Sequence, residues 1–341
     1  MRRPGAPAAA ALALLAAGCV TRSPPAPKAL PLSALPGWAG EDHSQALTAL
    51  KTACQVRARA ISLPVAACSE PTEGAATSPS QARRFLEANF HAEPLPGEGL
   101  LTAYYAPVYP ARMTRAPPFT APVRPAPDLA LFRGASPSRA EIEAAPAPGA
   151  LAWMRPEDLF FLQIQGSGVL TLPDGRRLRA AFAAHNDRPF VGLAKIMLER
   201  GLLADEATSA EAIRAWLAAH RGPEADALMR ENARYVFFQL AADDGGEPKG
   251  AAGVPLPPGR AIAVDRAQHG LGGLYWIAAE APALSGARAR YGRLAAALDT
   301  GGAILGMVRA DLYLGTGEAA GREAGTVRHR LRMWRLVPVR R

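Results

Sequence analysis

Residues 298–317 read LDTGGAILGMVRADLYLGTG and contain two short stretches in which apolar and polar residues alternate beside a carboxylate, Asp299 or Asp311. A period of two is typical of a strand with one buried face. The apolar face of the second stretch consists of Val308, Ala310, Leu312 and Leu314. Its other face consists of Met307, Arg309, Asp311 and Tyr313. The pattern therefore predicts that a strand presents Asp311 beside a cation and a phenol.

A third aspartate follows a similar stretch upstream, RAIAVD at 260–265. Ile262 and Val264 would point to one face of this strand, and Ala263 and Asp265 to the other. Three strand-borne aspartates in the last quarter of the chain form a candidate site. Each of them alone would also fit the ordinary use of Asp to end strands and open turns, so both interpretations stay open.

Length and composition favour a folded protein of two domains. The chain has 341 residues, more than one hydrophobic core usually spans. Gly and Pro, 32 each, favour a loop-rich, β-rich architecture over a helix bundle. The net charge of +9 suggests an anionic partner, whether nucleic acid, a lipid surface or an acidic polymer. The alternative is that a biased genome produces this charge without a ligand, because it is mostly arginine scattered through an alanine-rich sequence.

The N-terminal residues have the features of an export signal. A charged start at residues 1–3 precedes an apolar stretch, 8–17, that is too short to span a bilayer. The stretch ends in LAAGC, which resembles a bacterial lipobox, so we expect a signal peptide over residues 1–19 and lipidation of Cys19. An ordinary secretory signal is the alternative. Val20 after the cysteine is what similar lipoproteins of the outer membrane carry, which predicts a lipid anchor on its periplasmic face.

The proline-rich residues 20–36 that follow are predicted to form a flexible tether. Export also changes how the remaining cysteines are interpreted. Cys54 and Cys68 are an even pair in an oxidising compartment, which predicts a disulfide between them. Such a bond would stabilise the fold by roughly 3 kcal/mol in the loop-entropy model. Two free buried thiols are the alternative.

Helices and strands are predicted along the rest of the chain. Helices are expected over 44–56, after Ser80 as N-cap, after a Ser138/Glu141 capping box, over 190–200, over 208–220 after a Thr208/Glu211 capping box, and near Ala225. Strands are expected over 99–107, 158–172, 177–183, 235–239 and 327–337. Asp174-Gly175 is a typical hairpin turn. The break at 243–246 predicts a return from one domain to the other.

Two glutamines, Gln163 and Gln165, are predicted to share the accessible face of the 158–172 strand. Amides in such a position can bond sugar hydroxyls in a cleft, or they can simply belong to a solvated sheet face. The sequence pattern does not choose between these two interpretations.

Several motifs together resemble the membrane-bound lytic murein transglycosylase A family. Motifs similar to its substrate domain are LTAYYAP at 101–107, FFLQIQGSG at 160–168, AIRAWL at 212–217 and NARYVFF at 232–238. Motifs similar to its C-terminal three-aspartate domain are GVPLPPGRAIAVD at 253–265, LDTGGAILG at 298–306 and RADLYLGTG at 309–317. The resemblance runs from about residue 35 to residue 337.

The resemblance implies a mainly β protein of two domains with a substrate groove between them. A double-psi β-barrel would comprise residues 37–102 and 243–341, and a second, β-barrel-like domain, residues 103–242, would be inserted into it. The implied partner is the glycan strand of peptidoglycan, and no cofactor or nucleic acid is implied. The sequence itself suggests no metal site, because its histidines are scattered and form no ligand-spaced set: His43, His91, His185, His220, His269 and His329. Partners in wall-remodelling complexes are also compatible with this assignment.

The chemistry implied is cleavage of the β-1,4 bond between N-acetylmuramic acid and N-acetylglucosamine with formation of a 1,6-anhydro sugar. Asp311 would be general acid and then base, because its pKa can be raised by apolar surroundings or by a neighbouring carboxylate, here Asp299. The expected sugar contacts are Thr102, Tyr104, Gln163, Gln165, Ser167 and Asp265. A hydrolase that uses both aspartates and a non-catalytic wall-binding lipoprotein are the alternatives.

Overall fold

The computed structural model describes residues 29–56, 68, 78–127, 136–204, 209–287 and 290–339. The predicted signal peptide, Cys19 and the first part of the tether lie outside these ranges. The strands are β1 (Leu30–Pro31), β2 (Phe90–Pro94), β3 (Gly99–Ala106), β4 (Val108–Pro110), β5 (Ala121–Val123), β6 (Ala152–Met154), β7 (Gly168–Thr171), β8 (Arg177–His185), β9 (Val236–Ala242), β10 (Ala261–Ala263), β11 (Leu274–Ala279), β12 (Tyr291–Asp299), β13 (Arg309–Thr316) and β14 (Arg328–Pro338).

The helices of the described residues are α1 (His43–Gln55), α2 (Pro79–Asn89), α3 (Arg139–Ala144), α4 (Pro156–Gln165), α5 (Leu193–Glu199), α6 (Ala210–Ala219), α7 (Pro223–Arg230) and α8 (Glu318–Ala324). Short 3-10 helices span Leu32–Ala34 and Trp38–Gly40. Within the ranges given above, none of these helices has the length and apolar character needed to cross a bilayer.

Six strands close on themselves as a barrel. Their order is β14, β11, β12, β10, β13 and β3, and a pairing between β14 and β3 completes the ring. The pairs β10–β12 and β13–β3 are parallel, and the others are antiparallel. Inward side chains such as Leu101, Ile262, Leu312 and Leu331 are fully buried in the barrel core. One face of the alternating residues 308–314 therefore points into the barrel interior, and the other face carries Asp311.

The second domain is inserted directly after β3. Strands β4, β7, β8 and β9 form one sheet, and β5 pairs with β6. Helices α3 to α7 lie in the same stretch of chain, and the core of this domain includes Phe160, Leu170, Leu217 and Phe238. After β9 the chain returns to the barrel through the predicted break at 243–246. The separate cores of the barrel and the insert define a two-domain, β-rich fold.

The residues before the barrel pack against its outside. Trp38 and Leu50 are fully buried with Trp276 in one core. Glu41 anchors this segment, because its carboxylate accepts hydrogen bonds of 2.9 and 3.0 Å from the buried guanidinium of Arg260. Cys54 is bonded to Cys68, with their Cα atoms 5.7 Å apart. The N-terminal segment is therefore fixed to the barrel by apolar burial and a buried ion pair, and the disulfide cross-links the segment itself.

The tether prediction was wrong for residues 29–36. Strand β1 pairs with β2, and Leu32 and Leu35 are buried against the barrel. The carbonyl of Pro36 accepts a hydrogen bond of 3.2 Å from the indole of Trp276. The prolines suggested an extended segment, but the leucines between them supply enough apolar surface to hold it in place.

The strand predicted over residues 158–165 is instead helix α4, and β7 begins only at Gly168. Pro156 lies in the first turn and Gly166, at φ 80°, closes the helix. These are ordinary helix boundaries. The apolar stretch between them is buried on several sides, so period alone could not separate helix from strand. The two glutamines therefore belong to a helix end rather than to a sheet face.

Two predicted caps were displaced. Ser78 rather than Ser80 caps α2, with its side chain and that of Gln81 forming a capping box. Helix α6 is capped by Ser209, whose hydroxyl accepts from the amide of Ala212, and Thr208 lies outside the described residues. The Ser138/Glu141 capping box of α3 is confirmed.

Candidate active site

Three neighbouring barrel strands bring two of the three aspartates together. Ala263 of β10 is the Cα partner of Asp299 on β12 and of Asp311 on β13. On the other side of β13, Asp311 is the partner of Thr102 and Tyr313 is the partner of Tyr104. Because side chains of paired residues point to the same face of a sheet, this register places both carboxylates at one end of the groove.

The Asp311 carboxyl is held by a hydroxyl that has only one proton to give. Thr102 donates a short hydrogen bond to Oδ1 of Asp311 and accepts one of 2.9 Å from Nη2 of Arg309. Because the guanidinium can only donate, the Thr102 proton must point towards Asp311. Within the described residues, Oδ2 of Asp311 has no protein donor, which leaves that oxygen for a ligand.

Burial raises the pKa of Asp311, and the neighbouring charge of Asp299 raises it further. The hydrogen bond from Thr102 and the charge of Arg309 act in the opposite direction. Burial is the largest of these effects, so the Asp311 carboxyl retains its proton to a higher pH than an ordinary aspartic acid. This is the property that a general acid needs.

Asp299 accepts three hydrogen bonds. Its Oδ2 accepts one of 2.7 Å from the hydroxyl of Tyr104, and its Oδ1 accepts bonds of 2.9 Å from the amides of Ala251 and Thr300. Burial raises the pKa of Asp299, whereas these three donors lower it. The loop that provides one amide comes close at Gly250, where a Cβ would lie 2.5 Å from a backbone oxygen. Both oxygens of Asp299 are therefore occupied by the protein.

A groove of about 260 Å³ lies between the barrel and the inserted domain. The barrel contributes Thr102, Tyr104, Asp299, Arg309, Asp311 and the loop 300–304. The insert contributes Gln163, Ile164, Gln165, Phe190, Asn232 and Arg234. The two predicted acids and four of the six predicted sugar contacts thus line one cavity.

The two glutamines differ in what they can offer a ligand. Gln163 is almost fully buried, its oxygen accepts a hydrogen bond of 2.7 Å from Arg139, and its nitrogen donates to the carbonyl of Val236. Gln165 accepts a bond of 3.2 Å from the amide of Tyr105 through its oxygen. In the described part of the chain, the side-chain nitrogen of Gln165 has no protein acceptor, so it can reach a sugar hydroxyl.

Arg139 is a residue that the sequence pattern did not single out. Its buried guanidinium donates to Gln163, to the backbone carbonyls of Asn232 and Arg234, and to Glu143. It therefore fixes three residues of the insert wall at once. Sequence reasoning missed it because Ser138 and Glu141 marked the same stretch only as a helix start.

Two predicted contacts lie outside the groove lining. Ser167 follows the end of α4 and is not among the lining residues. Asp265 accepts hydrogen bonds from the amides of Gly306 and Ala267, which lower its pKa. It opens a turn, because the amides of Gln268 and His269 donate to its carbonyl, and this is the ordinary role that its sequence position also allowed. Across the described ranges, no three His, Cys, Asp or Glu side chains are grouped so that they could hold a metal ion.

A closed barrel, an inserted domain and two carboxylates with different surroundings define a two-domain protein whose groove contains a pair of partly buried acids. Residues 100–239 match the MltA specific insert domain, and residues 260–337 match the 3D domain. The chain is 35% identical over 249 residues to membrane-bound lytic murein transglycosylase A of Vibrio cholerae, covering 70% of this chain and 66% of that protein. It is 36% identical over 246 residues to the protein of the same name from Escherichia coli K12, covering 70% and 65%. The chain thus spans about two thirds of the length of these relatives.

Solved structures agree with the sequence matches. The membrane-bound lytic murein transglycosylase from Agrobacterium tumefaciens has a TM-score of 0.80 and 31% identity, covering 92% of this chain and 98% of that one. Escherichia coli MltA with bound chitohexaose has a TM-score of 0.65 and 31% identity, covering 77% and 79%. The chain belongs to the membrane-bound lytic murein transglycosylase A family, and it has that family's double-psi barrel with an inserted domain.

Proposed function

We propose that this protein is a lytic transglycosylase that cleaves the β-1,4 bond between N-acetylmuramic acid and N-acetylglucosamine in peptidoglycan. The observation that carries the proposal is the difference in hydrogen bonding between the two acids of the groove. Burial raises the pKa of both, but in the described part of the chain Oδ2 of Asp311 has no protein donor, whereas both oxygens of Asp299 accept hydrogen bonds. Only one of the two carboxyls is therefore free to exchange a proton with a substrate.

The reaction that fits one exchangeable proton proceeds in two steps. Protonated Asp311 first gives its proton to the glycosidic oxygen, the bond from that oxygen to C1 breaks, and N-acetylglucosamine leaves with a free hydroxyl. The ionised Asp311 then takes the proton of the C6 hydroxyl as that oxygen attacks C1 of the same muramic acid. The product is a 1,6-anhydro sugar, the aspartic acid is regenerated and no water is consumed. Attachment of the nucleophile to the reacting sugar supplies the proximity that a second catalytic group would otherwise provide.

Ionised Asp299 has a different role in this scheme. Its charge raises the pKa of Asp311 and stabilises the positive charge that develops at C1. Tyr104 and the two backbone amides hold it in place and favour its ionised form against burial, which raises its pKa. A hydrolase would need a second carboxylate free to activate water or to attack the sugar. The hydrogen bonds of Asp299 therefore disfavour the hydrolase alternative.

The relatives support the choice of substrate. Those named above are lytic murein transglycosylases, and one of the structural neighbours holds chitohexaose, a β-1,4-linked amino-sugar polymer. We further propose that Cys19 is lipidated and anchors the protein on the periplasmic face of the outer membrane. The relatives described above are named membrane-bound, and these names support a membrane location. Metabolic labelling with a fatty acid, compared between wild type and Cys19→Ala, tests the anchor.

The activity is tested by incubating purified sacculi with the purified protein and measuring the mass of the released muropeptides. We expect each released fragment to be one water lighter than a hydrolysis product. Asp311→Asn should release fragments about 10²–10⁴-fold more slowly. Products of hydrolytic mass would favour the glycosidase alternative. Equal release by Asp311→Asn would contradict the assignment of the acid, and no release by wild type would favour a non-catalytic wall-binding protein.

A further inference from the structure

Arg234 lies on the insert wall of the groove, on the side that faces the loop after Asp299. A Cβ on Gly302 of that loop would lie 3.3 Å from the guanidinium carbon of Arg234. The side chain thus extends from the inserted domain to the backbone of the barrel loop. Its own backbone carbonyl is held by Arg139, and its amide donates to Asn232 at 3.3 Å. The backbone of Arg234 is therefore held by Arg139 and Asn232, while its guanidinium lies in the groove.

The guanidinium of Arg234 makes few contacts with the described protein groups around it. Where the chain is described, it makes one long hydrogen bond, of 3.5 Å from Nη1 to the carbonyl of Arg188. Among the described residues, no carboxylate forms an ion pair with it, and the exposed Asp187 acts on it only as a more distant charge. An arginine has five N–H donors, so most of those of Arg234 are available to a ligand. The other cation of the groove, Arg309, is already bonded to Thr102 and to the carbonyl of Ala310.

A partly buried arginine with free donors is suited to a planar anion. The guanidinium fork matches the two oxygens of a carboxylate, and hydrogen bonds between charged groups are stronger than those to neutral hydroxyls. Ionised Asp299 would repel an anionic group that entered the same groove, and a cation on the opposite wall would offset that repulsion. A neutral oligosaccharide can accept hydrogen bonds from Arg234, but these bonds are weaker than those to a carboxylate.

We propose that Arg234 forms a subsite for a carboxylate carried by the glycan strand, and that it selects strands with such a carboxylate over neutral strands. The inference rests on the proposed function and names a specificity-determining residue for it. The carboxylate has two chemical sources in peptidoglycan. In muramic acid without a peptide, the carboxylate is that of the lactyl group. Where the lactyl group is amide-linked to a stem peptide, the carboxylate belongs to that peptide.

The test measures binding in the Asp311→Asn background, so that no ligand is cleaved. Three hexasaccharides serve as probes. The first is neutral chitohexaose, the second is a peptide-free alternating hexasaccharide with free lactyl carboxylates, and the third is the same strand bearing stem peptides. We expect Arg234→Gln to weaken binding of at least one carboxylated probe by about tenfold, as for loss of a charge-assisted hydrogen bond. Binding of chitohexaose should change less than twofold, and the probe that is affected identifies the source of the carboxylate.

Two further variants separate a specific contact from general effects. Arg176→Gln removes one positive charge at the exposed hairpin turn, where Arg176 pairs with Asp174, and should leave the preference unchanged. Arg234→Lys keeps the charge without the fork and should retain part of the preference. Equal weakening of all three probes by Arg234→Gln, or no weakening, would overturn the proposal. Because the readout is binding, the outcome is independent of whether the product mass supports a transglycosylase.

Discussion

The hydroxyl of Tyr104 donates a 2.7 Å hydrogen bond to Oδ2 of Asp299. Two backbone amides occupy the other oxygen, so this phenol completes the coordination of the carboxylate. Its proton stays on the phenol, because burial and the charge of Asp299 raise the pKa of Tyr104 well above its usual value. Tyr104 is therefore a permanent donor that favours the ionised form of Asp299.

Tyr104→Phe should raise the pKa of Asp299, because it removes a donor to the charged form. If ionised Asp299 is needed for catalysis, the acidic limb of the kcat/KM profile should move to higher pH. At the optimum we expect a loss of roughly tenfold to a hundredfold in kcat, from the ~1.5–3 kcal/mol of a hydrogen bond to a charged group. The measurement is the pH dependence of soluble fragment release from sacculi.

Tyr313→Phe is the matched control, since its ring lies 5.2 Å from that of Tyr104 and its hydroxyl donates to Glu247 instead. This variant should lower thermal stability without moving the acidic limb. Equal shifts in the two variants would show that the effect comes from disturbed packing rather than from the bond to Asp299.

Asp311→Asn should lower activity by about 10²–10⁴-fold, the usual contribution of a general acid. It should also raise the melting temperature at pH 7. The folded pKa of Asp311 is raised, so ionisation opposes folding, and stability falls as pH rises from the unfolded pKa of about 3.9 through the folded pKa. An uncharged isostere avoids this loss, and the two proteins should melt alike below pH 4.

Asp265→Asn should change the melting temperature at pH 7 in the opposite direction. Two backbone amides lower the folded pKa of Asp265, so its contribution to stability is present above the unfolded pKa and is lost as pH falls through the folded pKa. This variant should therefore melt at a lower temperature than wild type at pH 7, and the difference should shrink in acid. A higher melting temperature in both variants, or in neither, would contradict these opposite assignments.

Thr102→Val removes the hydroxyl that donates to Asp311 while keeping the side-chain shape. Because that bond lowers the pKa of Asp311, its loss should raise the pKa further and move the basic limb of the kcat/KM profile to higher pH. Arg309→Gln removes a positive charge that acts in the same direction, so it should move the same limb the same way. An unchanged basic limb in both variants would mean that another group sets it.

The strand pattern of residues 307–314 was enough to predict which side of β13 faces the barrel core and that Asp311 lies on the other side. It could not give the register, and the register is what makes Ala263 the partner of both Asp299 and Asp311. Register depends on contacts between strands far apart in sequence. For the same reason, Asp265 looked equivalent to the other two aspartates although it opens a turn.

The inserted domain was harder to predict from local patterns. Residues 156–165 are apolar and buried on several sides, so their periodicity does not distinguish a strand from a helix. Pro156 and Gly166 were the available signals for the helix. Arg139 illustrates a different limit, because its role consists of hydrogen bonds to residues 24 to 95 positions away. No pattern within one segment contains that information.

The bond between Cys54 and Cys68 closes a loop with a sequence separation of 14 and links the end of α1 to a later part of the chain. The double variant Cys54→Ser/Cys68→Ser should lose roughly 3 kcal/mol of unfolding free energy, because the unfolded chain regains the freedom of that loop. Neither cysteine lines the groove, so kcat at a temperature well below the melting point should be unchanged. Urea unfolding and fragment release measure the two quantities.

A reductant should lower the stability of wild type to the level of the variant and leave the variant unaffected. A variant as stable as oxidised wild type would contradict a stabilising role for the bond, and a variant that melts normally but loses activity would place the link in the catalytic machinery.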